Sequence, residues 1–155
     1  AGDETLSYVD VENMETMESE DIDELEVDKK IAKVMGVSLV KLEYRPKGMR
    51  LIRYTLDTDQ RKAVLFYEYG EEIIRYSMYT NSKDSSLGQK TIDKLLNEYD
   101  IENGNQIIHV KEYDVKNQTE KRYIAEFQYK DIQYQLKGIM KKNDFEEILK
   151  NLFFM

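Results

Sequence analysis

The spacing of hydrophobic residues changes along the chain from helical to alternating. In the first segment with a clear pattern, the hydrophobic positions recur at helical spacing, at Ile31, Val34 and Met35. The spacing predicts a short helix over 28–36, with Asp28 as its N-terminal cap and Gly36 at its C-terminal end. An extension of this helix back through Ile22 and Leu25 also fits the spacing.

After the turn at Pro46, hydrophobic and polar residues alternate, which is typical of strands with one buried face. An extended segment is predicted over 37–42, and strands are predicted over 49–57, 62–69, 72–80, 95–101, 106–113, 122–129 and 132–140. Loops are predicted over 81–89 and 114–119. Helical spacing over 92–99 competes with a strand there. Asn103-Gly104 favours a hairpin with a strand on each side, after a helical turn near Ile92.

The C-terminal segment has the pattern of an amphipathic helix. Asn143 is its predicted N-cap, with Glu146 in the capping-box position. The hydrophobic stripe consists of Phe145, Ile148, Leu149, Leu152 and Phe153. Together these elements predict an α+β fold. Its core is a curved antiparallel sheet of about six or seven strands connected by hairpins, with a short N-terminal helix and the C-terminal helix packed on it.

Charge divides the chain into two parts. The first 28 residues carry twelve acidic side chains and no Lys or Arg, whereas the rest of the chain carries 23 basic and 19 acidic residues. We therefore expect an acidic leader or stalk over 1–27, partly disordered, followed by a single α+β domain over 28–155. The formal net charge of −8 disfavours a nucleic-acid partner.

Basic residues are concentrated on the first three predicted strands and the turn before them. They are Arg45, Lys47, Arg50, Arg53, Arg61, Lys62 and Arg75. We expect these side chains either to solvate the outer face of the sheet or to receive the acidic leader. Four tyrosines of the same region are candidates for lining a ligand groove, although strands favour tyrosine for packing reasons alone: Tyr67, Tyr69, Tyr76 and Tyr79.

The residue types exclude several kinds of chemistry. The chain has no cysteine, which excludes disulfides, thiolate metal sites and thiol nucleophiles. His109, the one histidine, lies in a predicted strand and is expected to be a structural or surface side chain. The acidic pairs at 71–72 and 146–147 are expected in a turn and a helix, and 21–24 lacks the rest of a calcium-binding loop. We assign no catalytic, cofactor-binding or metal-ligating residue, expect no cofactor, and expect a protein that is not an enzyme.

No run of 18 or more apolar residues occurs in the sequence. Contact with a membrane is therefore expected only through a segment absent from this chain. Because the sequence begins with Ala1-Gly2 and not with Met, we expect that a preceding segment was removed, and that this segment could carry a signal or an anchor.

Several of these features together resemble the domain of unknown function 4367 family over about 28–153. They are the first helix, the turn Arg45-Pro46-Lys47-Gly48-Met49, the hairpin over 62–80, and the last strand and helix over 134–152. Members look like extracytoplasmic domains of Gram-positive bacterial proteins, often after one transmembrane helix, some with anti-sigma-factor-like or sporulation-associated architectures. The resemblance implies no catalytic residues. A tryptophan often expected in the last strand pair is missing here, where Phe127, Tyr129 and Tyr134 lie instead.

Two functions follow as expectations. The first is a non-enzymatic extracytoplasmic sensing or interaction module of a membrane-anchored or secreted bacterial protein, which binds a protein or a cell-envelope component. The second is a carrier that holds an apolar or lipid-like ligand in a cavity lined by Phe145, Leu149 and Leu152. A cluster of convergent ionisable groups with perturbed pKa values would instead favour an enzyme. The sequence predicts no oligomeric state.

Overall fold

The computed structural model describes residues 22–80 and 93–155, together with the backbone of 14–18. The predicted loop over 81–89 and the predicted helical turn near Ile92 lie outside the described residues.

Helices and strands follow one another along the described residues in an α+β arrangement, which confirms the predicted fold class. In chain order they are β1 (Met14–Glu18), α1 (Glu24–Met35), β2 (Lys41–Leu42), β3 (Arg50–Asp57), β4 (Lys62–Tyr69), β5 (Glu72–Tyr79), β6 (Lys94–Asn103), β7 (Gln106–Asp114), β8 (Lys121–Tyr129), β9 (Ile132–Met140), α2 (Lys142–Lys150) and β10 (Leu152–Phe153).

The main sheet is open, antiparallel and eight-stranded, in the order β1-β3-β4-β5-β9-β8-β7-β6. It consists of two hairpin-connected halves, β3-β4-β5 and β6-β7-β8-β9, which meet where β5 pairs with β9. Strand β1 lies at one edge, with Met14 opposite Asp57 and Glu18 opposite Arg53. Strands β2 and β10 form a separate two-stranded ladder, so the chain end is tied to the segment after α1.

Both helices pack on the same face of the sheet and share one core with it. Helix α1 buries Val27, Ile31 and Met35, and α2 buries Phe145, Ile148 and Leu149. The strands contribute alternate residues to this core, as the pleat of a strand requires. In β4, for example, Leu65 and Tyr67 belong to the core, whereas Phe66 is buried on the opposite face.

Helix α1 begins earlier than the predicted cap. The N-cap is Asp23, whose carboxylate accepts hydrogen bonds from the backbone of Leu25 (3.2 Å) and Glu26 (3.4 Å). The prediction of Asp28 as the N-cap is therefore wrong, because Asp23 satisfies the first free N–H groups one turn earlier. The C-terminal end is confirmed at Gly36, which has a left-handed φ of 81°.

Helix α2 is capped by a distant tyrosine. The predicted cap at Asn143 is wrong: the helix begins at Lys142 after Lys141, with no side-chain cap of its own. Instead the Tyr69 hydroxyl donates to Asp144 (2.6 Å) and accepts from the Lys141 backbone N–H (3.4 Å). The capping-box assignment of Glu146 is also wrong, since its carboxylate accepts from the Tyr99 hydroxyl (2.7 Å).

The end of α2 also differs from the prediction. The helix stops at Lys150, and the hydrophobic positions Leu152 and Phe153 form β10 opposite β2. Leu152 remains buried although it is no longer helical. Tertiary pairing therefore overrides the helical spacing that predicted one continuous stripe.

A hairpin turn closes the C-terminal end of each helix. The Arg61 guanidinium, at the β3–β4 turn, donates to the α1 carbonyls of Val34 (3.0 Å) and Met35 (2.6 Å). Asn103, at the β6–β7 turn, donates through Nδ2 to the carbonyls of Leu149 (3.0 Å) and Leu152 (2.9 Å). The hairpin expected at Asn103-Gly104 is confirmed, with Asn103 as the last residue of β6.

We expect Asn103→Ala to lower the free energy of unfolding by about 1 to 2 kcal/mol, because the Leu149 carbonyl of α2 and the Leu152 carbonyl of β10 lose their donor. The neighbouring exposed Asn105 provides the matched control, and Asn105→Ala should change stability by less than about 0.5 kcal/mol. Urea unfolding followed by circular dichroism measures both variants. Equal losses would mean that the turn itself, and not the contact with α2, accounts for the effect.

Gly138 lies where β9 meets β5. A Cβ atom at this position would overlap the side chain of Ile74, which is fully buried, and would lie 3.3 Å from the Ile74 Cα. Gly138→Ala should therefore cost about 1 to 3 kcal/mol through overpacking. Ile74→Val removes the atom that overlaps most, so the double variant should lose less than the sum of the two single losses. Additive losses in urea unfolding would contradict this explanation.

Candidate functional site

A cavity of about 270 Å³ opens between the first turns of α1, the segment around β2, and strands β4 and β5. Its lining residues are Glu24, Leu25, Asp28, Leu39, Val40, Lys41, Leu42, Glu43, Arg45, Leu65, Tyr67, Tyr76 and Met78. Buried apolar side chains from the core line one part of the cavity, and charged side chains from α1 and from 41–45 line the rest.

Buried tyrosines hold one wall of this cavity against the sheet. The Tyr76 hydroxyl donates to the Val40 carbonyl (2.7 Å), and the Val40 N–H donates to the Tyr134 hydroxyl (3.2 Å). The two rings are stacked, with 5.7 Å between their centroids. Burial raises the pKa of Tyr76 well above its usual range, so this hydroxyl remains a donor. The two tyrosines therefore hold the cavity wall at 39–43 in place through the backbone of Val40.

An ion pair lies at the mouth of the cavity. The Arg45 guanidinium contacts the Glu24 carboxylate at 2.5 Å, and the Tyr67 hydroxyl donates to the same oxygen at 3.4 Å. The guanidinium also lies over the Tyr67 ring, 5.0 Å from its centroid. The charge of Glu24 is therefore compensated by neighbours on two other segments.

Asp28 lies one helical turn after Glu24 and is half-buried at the cavity. Burial, and next the negative charge of Glu24, raise the pKa of Asp28 from its ordinary value of 3.8 to about 6. Lys41 and Arg45 act in the opposite direction, but neither is within ion-pair distance of this carboxylate. The ionised form of Asp28 is therefore poorly compensated in the folded protein.

The sequence reasoning missed both carboxylates of the cavity. The predicted helix over 28–36 makes Asp28 a helix cap, and the predicted leader over 1–27 includes Glu24. A signal was available: once α1 is extended back, Glu24, Asp28, Ile31 and Met35 follow one another at spacings of four, three and four. That spacing places the two carboxylates on the buried stripe of the helix.

The structure separates the four tyrosines proposed as a groove. Tyr67 and Tyr76 line the cavity, and both are almost fully buried. Tyr69 contacts the start of α2, and Tyr79 is buried on the face opposite the helices. The groove hypothesis therefore applies to two of the four side chains.

The basic residues of the first strands do not form one surface. Arg45 binds Glu24, Arg61 caps α1, and Arg50 pairs with Glu68 at 3.3 Å. The guanidinium groups of Arg53 and Arg75 lie over the Phe66 ring on the outer face. The expectation that these strands receive the acidic leader is met at Arg45, since Glu24 belongs to the predicted leader, and in the pairing of β1 with β3.

His109 lies on the outer face of β7 with two acidic neighbours. Its Nδ1 is 2.9 Å from the Asp100 carboxylate, and its Nε2 is 2.7 Å from the Glu98 carboxylate. These two hydrogen bonds, with Asp100 first, raise the pKa of His109 above 6.5. The imidazole is 44% exposed, which agrees with the expected surface side chain.

Other candidate features have structural roles where the structure describes them. Asp23, from the acidic segment 21–24, caps α1. Within 22–80 and 93–155, no group of three or more His, Asp or Glu side chains is arranged to hold a metal ion. Among the same residues, neither helix has the length and hydrophobicity needed to cross a membrane.

The carrier hypothesis placed its cavity at α2, between Phe145, Leu149 and Leu152. All three side chains are buried in the core, and the Phe145 ring is stacked on Tyr123. Neither the cavity at α1 nor a second one, of about 400 Å³ on the outer face, is lined by them. The outer cavity is polar and includes Arg122, whose guanidinium pairs with Asp93 at 2.8 Å.

Comparison with known proteins gives one match. The family model described as Domain of unknown function (DUF4367) matches residues 39–152. No curated protein and no solved structure matches the chain. The matched stretch includes the cavity residues Lys41, Arg45, Tyr67 and Tyr76, and it begins after α1 with its two carboxylates.

We expect Asp28→Asn to stabilise the protein at neutral pH by about 1 to 3 kcal/mol. The folded-state pKa of Asp28 lies above the unfolded one, so its contribution is favourable at low pH and is lost as pH rises through about 6. The gain should therefore vanish near pH 4 and reach its full size above about pH 7.

The matched control is Glu26→Gln, since Glu26 is an exposed carboxylate on the same helix that pairs with Lys29 at 3.5 Å. Its effect on stability should stay within about 0.5 kcal/mol. Thermal and urea unfolding between pH 4 and pH 8 measure both variants. A gain for Asp28→Asn that is independent of pH would show that relief of a buried charge is not its cause.

Proposed function

Because the chain belongs to the Domain of unknown function (DUF4367) family, we propose that it is a non-enzymatic extracytoplasmic sensing or interaction module. On this proposal it is part of a membrane-anchored or secreted bacterial protein with a regulatory, anti-sigma-factor-like role, and its partner is a protein or a cell-envelope component. The resemblance of the sequence to extracytoplasmic domains that follow a membrane helix supports the location. The absence of cysteine agrees with export.

The cavity at α1 is the observation that carries the sensing role. A ligand there would touch Glu24 and Asp28 on the helix, and Tyr67 and Tyr76 on the sheet, at the same time. Binding would therefore favour one position of α1 relative to the sheet. On this proposal, a shift of α1 would act on the acidic leader that precedes it in the sequence, whose strand β1 pairs with β3.

The groups around the cavity favour recognition over catalysis. Glu24 is already engaged by Arg45 and by Tyr67. Burial first, and next the charge of Glu24, raise the pKa of Tyr67 well above its usual range, so this hydroxyl acts as a fixed donor. Burial first, and next the charge of Glu24, raise the pKa of Asp28 to about 6, so this carboxylate changes charge near neutral pH. A raised pKa in a cavity is also what an enzyme would show; we favour binding because Glu24 and Tyr67 are engaged with each other and with Arg45, which leaves Asp28 without a partner group for acid–base catalysis.

Protease accessibility of the full-length protein tests the location. The protein, tagged at its C-terminus, is expressed in a Gram-positive host, and wall-stripped intact cells are compared with lysed cells. We expect the tag and the folded domain to be cleaved in intact cells, while a membrane-retained stub survives. A cytosolic reporter carrying the same tag is the control, and it must stay intact until lysis.

Protection of the domain until lysis would contradict the extracytoplasmic role. Cleavage without a membrane-retained stub would favour the secreted form of the proposal over the membrane-anchored form. Both results are obtained without knowledge of the ligand, so the location is tested independently of the cavity.

A further inference from the structure

We infer that the cavity at α1 binds a primary ammonium group on an unbranched aliphatic chain, such as a lysine-type side chain presented by a peptide. This inference rests on the proposed function, because it names the ligand class of the same site. Three features of the cavity lead to it: a carboxylate without a direct partner, an apolar and aromatic wall, and a volume suited to one side chain.

The carboxylate without a direct partner is that of Asp28, although the charges of Lys41 and Arg45 act on it from a longer distance. Two carboxylates of α1 face the cavity one turn apart, and Arg45 engages Glu24. The Asp28 carboxylate forms no ion pair and no hydrogen bond with any described residue, whereas the polar contacts beside it are those of Glu24 with Arg45 and Tyr67. A ligand ammonium at Asp28 would supply the missing counter-charge and its hydrogen bonds.

The inner wall suits the methylene chain of such a ligand. Leu39, Leu65 and Met78 line the cavity as buried side chains. The rings of Tyr67 and Tyr76 line the same cavity, and because Arg45 already lies over the Tyr67 ring, these rings contribute contact with the methylene chain and not a second cation site. A long amine can bury its stem against this wall while its charged end reaches Asp28.

The volume limits the size of the group that enters. About 270 Å³ lies below the range of roughly 300–1,000 Å³ that is typical of sites for drug-sized ligands. One long side chain fits such a space, with the remainder of the peptide outside. The exposed Leu25, at 65% exposure, lies at the rim, where it can contact that remainder.

An anionic ligand fits the same cavity less well. Three carboxylates line it against two cations, and one of those cations is already paired with Glu24. Lys41 is left at the rim on β2, where its ammonium can donate to a backbone carbonyl of the bound peptide. The balance of charge therefore favours an amine at Asp28 and a carbonyl at Lys41.

The inference implies that binding weakens in acid. The charged and titratable groups that face Asp28 from the surrounding elements are Glu24 on α1, Lys41, Glu43 and Arg45 around β2, Tyr67 on β4 and Tyr76 on β5. Burial, and next the charge of Glu24, raise the pKa of Asp28 to about 6. Protonation of Asp28 removes the counter-charge, so affinity should fall as pH drops below about 6.

Chemical-shift mapping by NMR of the full chain tests the ligand class. The probe is lysine with its α-amino and α-carboxyl groups blocked as amides. Two analogues differ only at the side-chain end: norleucine, which lacks the amine, and Nε-acetyl-lysine, whose amine is neutralised. We expect the lysine probe to shift the resonances of Leu39, Leu65 and Met78, and the two analogues to bind at least about tenfold more weakly.

Two variants and a pH series complete the design. Asp28→Asn should weaken binding of the lysine probe by about tenfold or more, whereas the matched control Glu26→Gln should leave it unchanged. Dispersed amide spectra establish that both variants are folded. With the unsubstituted protein, the dissociation constant should rise between pH 7 and pH 5, which tests the role of Asp28 without any substitution.

Equal binding of the lysine probe and of norleucine at the cavity would overturn the ammonium assignment. The sensing role would stand in that case, since the cavity would still bind a ligand. Failure of the lysine probe to shift any cavity resonance up to its solubility limit would overturn the ligand class. Protection from protease in intact cells, with lysine binding retained, would instead overturn the extracytoplasmic role and leave the amine site in place.

Discussion

The pairing of β5 with β9 is the interaction on which the rest of the structure depends, because among the described strands it is the ladder that joins the two halves of the sheet. The two strands are far apart in the sequence, so no short turn brings them together. Packing in the core must offset the entropy cost of closing the long loop between them. Ile74 lies against Gly138 at this join, where only a residue without a side chain fits. The core that both helices cover is continuous because this ladder exists.

Among the described residues, tyrosine hydroxyls provide many of the long-range polar contacts that position the helices and the cavity. Their rings pack in or beside the core, while their oxygens reach a carboxylate or a backbone group on another element. Tyr76 and Tyr134 fix the segment after α1, and Tyr69 and Tyr99 reach the first turns of α2. These contacts explain why the strands contain many tyrosines: the ring can be buried in the core while the hydroxyl forms a hydrogen bond at its edge.

Local pattern was enough to predict the strands and the fold class. The strands over 62–69 and 132–140 match the observed bounds, because alternation and short turns are properties of neighbouring residues. The caps were harder: Asn143 has a good capping sequence, but Tyr69 from a distant strand takes that role. The cavity was not predicted, because it depends on residues that are distant in the sequence. Arg45 pairs with Glu24, and Lys41 and Arg45 lie near Asp28, only once the chain has folded.

The side chains of Arg61 and Asn103 tie each helix end to a hairpin turn, and this has a consequence for how the protein opens. The last turn of α1 cannot unwind without releasing Arg61, and the end of α2 cannot unwind without releasing Asn103. Each helix and its hairpin therefore form one cooperative unit for hydrogen exchange, in which amide protons of both elements become accessible together. Strands β5 and β9 lie between the two units, so the slowest exchange belongs to the middle of the sheet, while α1, beside the cavity, opens only together with its hairpin.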